Sequence, residues 1–134
     1  MSRINVVPVL ELTDRHLLSE YRELPRVSVL AWKYYISWIE RCSSDIRPSL
    51  VDGILPFNYT LGTGHVKFFY NKGEFLRRRF EDEIVPEMKR RGFKTNFTTY
   101  RMHPDGMNGD YMPTNEAIEI NRQRINERLG GKDK

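Results

Sequence analysis

The chain has 134 residues, 39% of them hydrophobic, a single cysteine and a net charge of +4 at pH 7. That length supports one core and not two, so a single domain over 1–134 is expected. The lone Cys42 excludes an intrachain disulfide framework, and the opening Met1-Ser2-Arg3-Ile4-Asn5 has no apolar signal core. Apolar stretches are broken by charge every few residues, so the expectation is a cytoplasmic protein with no membrane association.

Three helical segments are expected. The first runs from about 13 to 41, with Thr13 as N-cap and Asp14 in the first turn. Leu17, Tyr21 and Leu24 make one apolar stripe, Pro25 bends the helix, and Val27, Leu30, Ala31, Tyr34 and Trp38 resume the spacing. Residues 42–63 read as a connection with apolar anchors at Leu50, Val51, Ile54 and Leu55. The second helix is expected from about 65 to 91, with Phe69, Leu76, Phe80 and Ile84 inward. Arg77, Arg78 and Arg79 begin its polar side, Pro86 kinks it and Gly92 ends it. Phe68-Phe69-Tyr70 also fits a short strand, with helix preferred.

A loop over 93–112 carries the turn signals Asp105-Gly106 and Asn108-Gly109. The third helix is expected from Thr114 to Gly130, with Ile118, Ile125 and Leu129 inward and a frayed tail over 130–134. The fold class is therefore all-α: one compact domain of three main helices joined by long loops.

The basic balance, with a pI near 9.3, fits a polyanionic partner. Lys and Arg gather at 77–79, 89–91 and 122–128, but interleaved acids give the same pattern as a solvated helix face. His16, His65 and His103 are scattered without ligand spacing, so no metal site is expected. Leu61-Gly62-Thr63-Gly64 is a tight turn and not a phosphate loop, because no Lys-Ser or Lys-Thr follows. His16 and Glu23 stand seven residues apart and share a helix face; Arg22 and Arg26 are neighbours four apart. From spacing alone these residues fit a surface ion pair and a half-buried histidine as well as a site.

Several ordered stretches carry a resemblance. They are Ser2-Arg3-Ile4-Asn5, His16-Leu17 and Glu20-Tyr21-Arg22-Glu23-Leu24-Pro25-Arg26-Val27. Leu61-Gly62-Thr63-Gly64-His65-Val66, Phe68-Phe69-Tyr70 and Glu74-Phe75-Leu76-Arg77 follow. Lys89-Arg90, Gly92-Phe93, Gly109-Asp110-Tyr111 and the Arg124/Arg128 pair complete the set. Together they make the chain resemble the bacteriophage pyrimidine dimer DNA glycosylase family (the T4 endonuclease V type) from residue 2 to about 129.

The resemblance implies an all-α domain with the N-terminal strand threaded between helices. It implies a nucleophile at the α-amine of residue 2, here Ser2, once Met1 is removed. An α-amine has an ordinary pKa of about 7.7–8.0, so a useful fraction is neutral at physiological pH. Such an amine attacks C1′ of the damaged nucleotide and forms a Schiff base, and β-elimination of the 3′ phosphate nicks the strand. Glu23 matches the catalytic carboxylate that stabilises charge and moves protons. Arg22, Arg26 and Arg3 match DNA-holding positions, as do Arg124 and Arg128. His16 either orients groups near the amine or is structural. The implied partner is lesion-bearing double-stranded DNA, bound by a monomer with no cofactor, no metal and no obligate protein partner.

The chain departs from the resemblance in two ways. No aromatic, Lys-containing C-terminal tail is expected after Gly130-Gly131-Lys132-Asp133-Lys134, and an insertion is expected before Gly62. Trp32, Tyr34, Tyr35 and Trp38 lie just ahead of that insertion and fit either a substitute lesion face or plain core packing. The alternatives to dimer repair are the same chemistry on another damaged base or an abasic site, and a non-catalytic DNA-binding module.

Overall fold

The computed structural model describes residues 4–41, 59–60 and 64–132, with side chains throughout except at 41 and 128–132. Its first residues, Ile4-Asn5-Val6-Val7, set three β-branched aliphatics around one amide, a composition that favours extended backbone. All four are buried. A buried extended segment outside a sheet has no ladder to satisfy its polar groups, so other partners must be supplied. Asn121 Oδ1 accepts from Val6 N at 2.7 Å and Val7 N at 3.2 Å, and Arg79 Nη1 donates to Val7 O at 2.8 Å. Asn5 Nδ2 donates to Glu20 Oε1 and its Oδ1 accepts from Asn121 Nδ2, each at 2.8 Å. Glu20 also receives the Arg79 guanidinium, through a short Nε contact and an Nη2 bond of 3.2 Å. The threading of the N-terminal segment among helices is as the resemblance implies.

After Pro8, a single 3₁₀ turn over Val9–Glu11 leads to helix α1, Asp14–Glu23. Thr13 caps α1 through its hydroxyl, which accepts from His16 N at 3.3 Å. Leu12 and Leu17 occupy the two positions of a hydrophobic staple and both are buried. Helix α2 spans Arg26–Arg41. The single bent helix expected over 13–41 is thus two helices. Pro25 has no N–H to give, so a turn closes at Leu24, whose carbonyl accepts from Val27 N at 3.1 Å. Leu17, Tyr21, Leu24, Val27, Ala31 and Trp38 are buried as the spacing predicts. Leu30 is not; it is 40% exposed.

The second helix begins at Gly73 and not at 65. Lys67–Phe69 forms a separate 3₁₀ turn, followed by α3 over Gly73–Arg77, a π-helical stretch over Arg78–Ile84 and α4 over Val85–Arg90. The late start has a long-range cause. The 104–109 loop pairs with the backbone here: Gly109 N donates to Asn71 O at 3.0 Å and Gly73 N to Met107 O at 3.1 Å. Gly73 presses against Asn108 so closely that a Cβ would collide with its side chain. Phe69, Leu76, Phe80 and Ile84 are buried as expected, but Arg79 is turned inward and not to solvent. The wider π turn re-aims residues relative to a 3.6-residue repeat, and buried Glu20 supplies the compensating charge. Gly92 ends the helix at φ 85°, with Gly92 N bonded to Lys89 O and Phe93 N to Met88 O, the Schellman pattern.

Helix α5 spans Asn115–Lys132, capped by the Thr114 hydroxyl accepting from Ala117 N at 3.0 Å. Its backbone stays helical through Gly130 and Gly131, beyond the tail expected to fray from 130. Ile125 is buried and Ile118 half-buried, while the Leu129 side chain lies outside the described ones. The architecture is all-α, with no strand among the described residues beyond one isolated bridge between Lys72 and Asn108. No described helix is long and apolar enough to cross a membrane. The anchors at Leu50, Val51, Ile54 and Leu55, Cys42 and most of the insertion lie outside the described residues.

Candidate functional site

Glu23 ends α1 and Arg26 begins α2, so the turn forced by Pro25 brings them side by side. Arg26 Nη1 lies 3.4 Å from Glu23 Oε2; the Arg26 side chain is 73% exposed and that of Glu23 27%. An arginine this exposed is free to exchange its carboxylate for another anion at little cost. Glu23 and Arg26 form the charged side of a cavity of about 430 Å³, a size that accommodates a small organic group. Its other walls are apolar: Ile4, Val27, Val29, Leu30 and Val66. The exposure of Leu30, at odds with its helical spacing, is explained by this cavity.

A carboxylate beside an apolar wall can stabilise a developing positive charge and hand a proton on or off. Ile4 brings the N-terminal segment to the same cavity, two residues after Ser2. Both backbone groups of Ile4 are held. Its N–H donates to His65 Nε2 at 2.8 Å, and its carbonyl accepts from Tyr59 Oη at 3.2 Å. His65 Nδ1 lies 2.7 Å from Thr60 O. Because a carbonyl only accepts and a backbone N–H only donates, the His65 ring in this geometry is neutral, with its proton on Nδ1.

Among the described residues, the other candidates singled out from the sequence do not line this cavity. Ser2 and Arg3 lie outside the described residues. Arg22 is exposed and does not line the cavity. His16 shares a helix face with Glu23 but stands about 10 Å along the axis from it. It serves the N-terminus of α1, where its Nδ1 lies 2.9 Å from Thr13 Oγ1. Arg124 is half-buried on α5, one turn beyond Asn121, and its buried Nε has no hydrogen-bond partner among the described residues. The Arg128 side chain is outside the described ones.

Among the candidate aromatics, Trp38 is core and Tyr34 packs on Tyr70 with ring centroids 5.3 Å apart. Trp32 is half-buried, donating from Nε1 to Met102 O at 2.9 Å, with the Arg101 guanidinium 5.0 Å from its ring. Tyr35 meets Trp32 edge-on at 6.4 Å. Among the described residues no group of three or more His, Cys, Asp or Glu is placed to hold a metal ion.

Sequence reasoning missed His65, Tyr59, Asn121 and the Glu20–Arg79 pair. His65 lies within the Leu61–Val66 stretch that carries the resemblance, yet only its tertiary contact with Ile4 gives it a role. A scan against protein-family models matches residues 1–101 to the family described as pyrimidine dimer DNA glycosylase. The matched span includes Glu23, Arg26, His65 and Tyr59; Arg124 and Arg128 lie beyond it.

Proposed function

Because the chain belongs to the pyrimidine dimer DNA glycosylase family, we propose that it excises ultraviolet-induced cyclobutane pyrimidine dimers and then nicks the strand as a lyase. In this reading the nucleophile is the α-amine of Ser2, freed by removal of Met1. The nitrogen lone pair attacks C1′, and the C1′–base bond breaks with its electrons leaving on the protonated base. Opening of the C1′–ring oxygen bond gives the imine. Loss of a C2′ proton then expels the 3′ phosphate, and water hydrolyses the imine to release the amine.

The observation that carries the reading is the meeting of Glu23 and Ile4 at one cavity. Two residues of chain span at most about 7 Å, so an amine at residue 2 stays within reach of the cavity that Glu23 lines. Glu23 is the group to stabilise the cationic sugar and to move protons during imine formation and elimination. Arg26, exposed beside it, and Arg22, exposed near the end of α1, suit phosphate contacts; Arg3, Arg124 and Arg128 extend that basic set. His16 supports the α1 cap through Nδ1, and in this reading it also orients groups near the amine. The DNA is bound by a monomer, and no cofactor enters the chemistry.

The deciding experiment incubates the Met-processed protein with a duplex carrying one cyclobutane dimer, adds borohydride and maps the covalent adduct. An adduct at the N-terminal residue is expected with the dimer and with an abasic-site duplex. An adduct only with the abasic site would restrict the activity to the lyase step, and none with either duplex would overturn the enzymatic reading. Glu23→Gln should bind lesion DNA and fail to cleave it; full cleavage by that variant would remove Glu23 from the chemistry.

A further inference from the structure

We propose that His65 is a positioning residue for the N-terminal nucleophile, acting through its hydrogen bond to the Ile4 amide; this rests on the α-amine reading above. Four side chains hold the backbone of the N-terminal segment, and they act at different distances from the reacting end. Asn121 and Arg79 bind at Val6 and Val7. His65 and Tyr59 bind at Ile4, which only Arg3 separates from Ser2. The position of the Ile4 peptide therefore sets the point from which the short reach to the amine begins. The apolar contacts of Ile4 resist exposure but are non-directional and do not stop a slide along the strand. Hydrogen bonds are directional, and the two at Ile4 pin both sides of one residue.

His65 is suited to this in ways that a flexible amide is not. Its Nδ1–H is committed to Thr60 O, which aims the Nε2 lone pair at Ile4 N. Its ring is 1% exposed and is fixed edge-on between Tyr59, at 5.6 Å, and Phe69, at 5.9 Å. The acceptor is thus in place before DNA arrives. A nucleophile on a short tether with a fixed anchor gains part of the rate advantage of orientation, and a displacement of about 1 Å can cost on the order of a hundredfold in rate.

The test uses the full-length, Met-processed chain and a duplex with one abasic site. It reads two quantities: the single-turnover rate of borohydride capture, and affinity for a duplex bearing a reduced, unreactive abasic analogue. His65→Phe keeps a ring but removes the acceptor; its capture rate should fall on the order of a hundredfold while affinity stays near wild type. His65→Gln, which restores an acceptor, should recover much of the rate. Tyr59→Phe, the milder change should the first variant not fold, should lose about fivefold in capture, as for one neutral hydrogen bond. Capture at the wild-type rate in His65→Phe or in Tyr59→Phe would overturn the proposal. So would a rate loss matched by an equal loss of affinity, or a His65→Gln variant no better than His65→Phe. If the wild-type chain itself forms no N-terminal adduct, the α-amine reading fails and this proposal with it; if wild type is captured and the variants are captured equally fast, this proposal alone fails.

Discussion

Glu20 and Arg79 have almost no exposed side-chain surface, and charges removed from water must be paired where they stand. Each also serves the N-terminal segment, Glu20 through Asn5 and Arg79 through the Val7 carbonyl. Replacing Arg79 by Met should therefore strand the Glu20 charge and lower unfolding free energy by about 3–5 kcal/mol in urea titration. Replacing Glu20 by Gln in that background should recover part of the loss, and a further loss would show that charge pairing is not the cause. Arg26 lies at the other extreme. Its pair with Glu23 is exposed, so Arg26→Ala should change stability by less than about 1 kcal/mol. If Arg26 contacts phosphate, the same variant should lower the salt slope of DNA binding by about one unit, and an unchanged slope would remove that contact.

At the scale of an element, two glycines in one helical region carry different demands. Gly92 adopts φ 85° with open space where a Cβ would stand, so its constraint is backbone conformation alone. Gly73 has an ordinary φ but no room, because Asn108 occupies the space a Cβ would take. Gly92→Ala should cost about 1 kcal/mol, whereas Gly73→Ala should cost more by pushing Asn108 off its bonds to His103. Thermal unfolding of the two variants checks the order, and a reversal would show that the 104–109 loop yields easily. The C-terminal end of this region was legible because a glycine stop is local chemistry. Its start at Gly73 was not, since pairing with a loop some thirty-five residues downstream decides it. The π stretch was likewise hidden: a 3.6-residue pattern puts Arg79 with Arg77 and Arg78 on the polar side.

Across the whole molecule, buried and paired titratable groups make stability depend on pH in two stages. Burial pushes the His103 imidazole below its ordinary value, only partly opposed by its bond to the Tyr70 carbonyl. The unfolded chain then takes a proton that the folded chain refuses, so stability is full above about pH 6.5 and declines as pH falls from there. Arg90 and Arg91 hold Glu87 down at about 2. Arg77 lowers Glu74, Arg78 lowers Asp110 and Arg122 lowers Glu11. These carboxylates stabilise the fold above their ordinary values and lose that contribution as pH falls through the folded ones. Urea midpoints should be flat from about pH 6.5 to about pH 9, drop once below that range, and drop again below about pH 4.5. His103→Gln should shrink the first drop, measured as the difference between pH 7.5 and 5.5; an unchanged difference would assign that drop to other groups.

By itself the sequence determined the helical class, the Thr13 cap, the Gly92 stop and most of the apolar stripe positions, because each depends on neighbours within a few residues. The ordered motifs likewise carried the family, which the match over residues 1–101 bears out. Tertiary structure alone decided which groups meet. Glu23 and Arg26 were legible as neighbours, but the cavity they share with Ile4 and Val66 joins three separated stretches of chain. The bonds from His65 to Ile4, from Asn121 to Val6 and from Arg79 to Glu20 span 61, 115 and 59 residues. Such contacts follow from burying an extended segment whose backbone groups must all be paired, a requirement that local periodicity does not register.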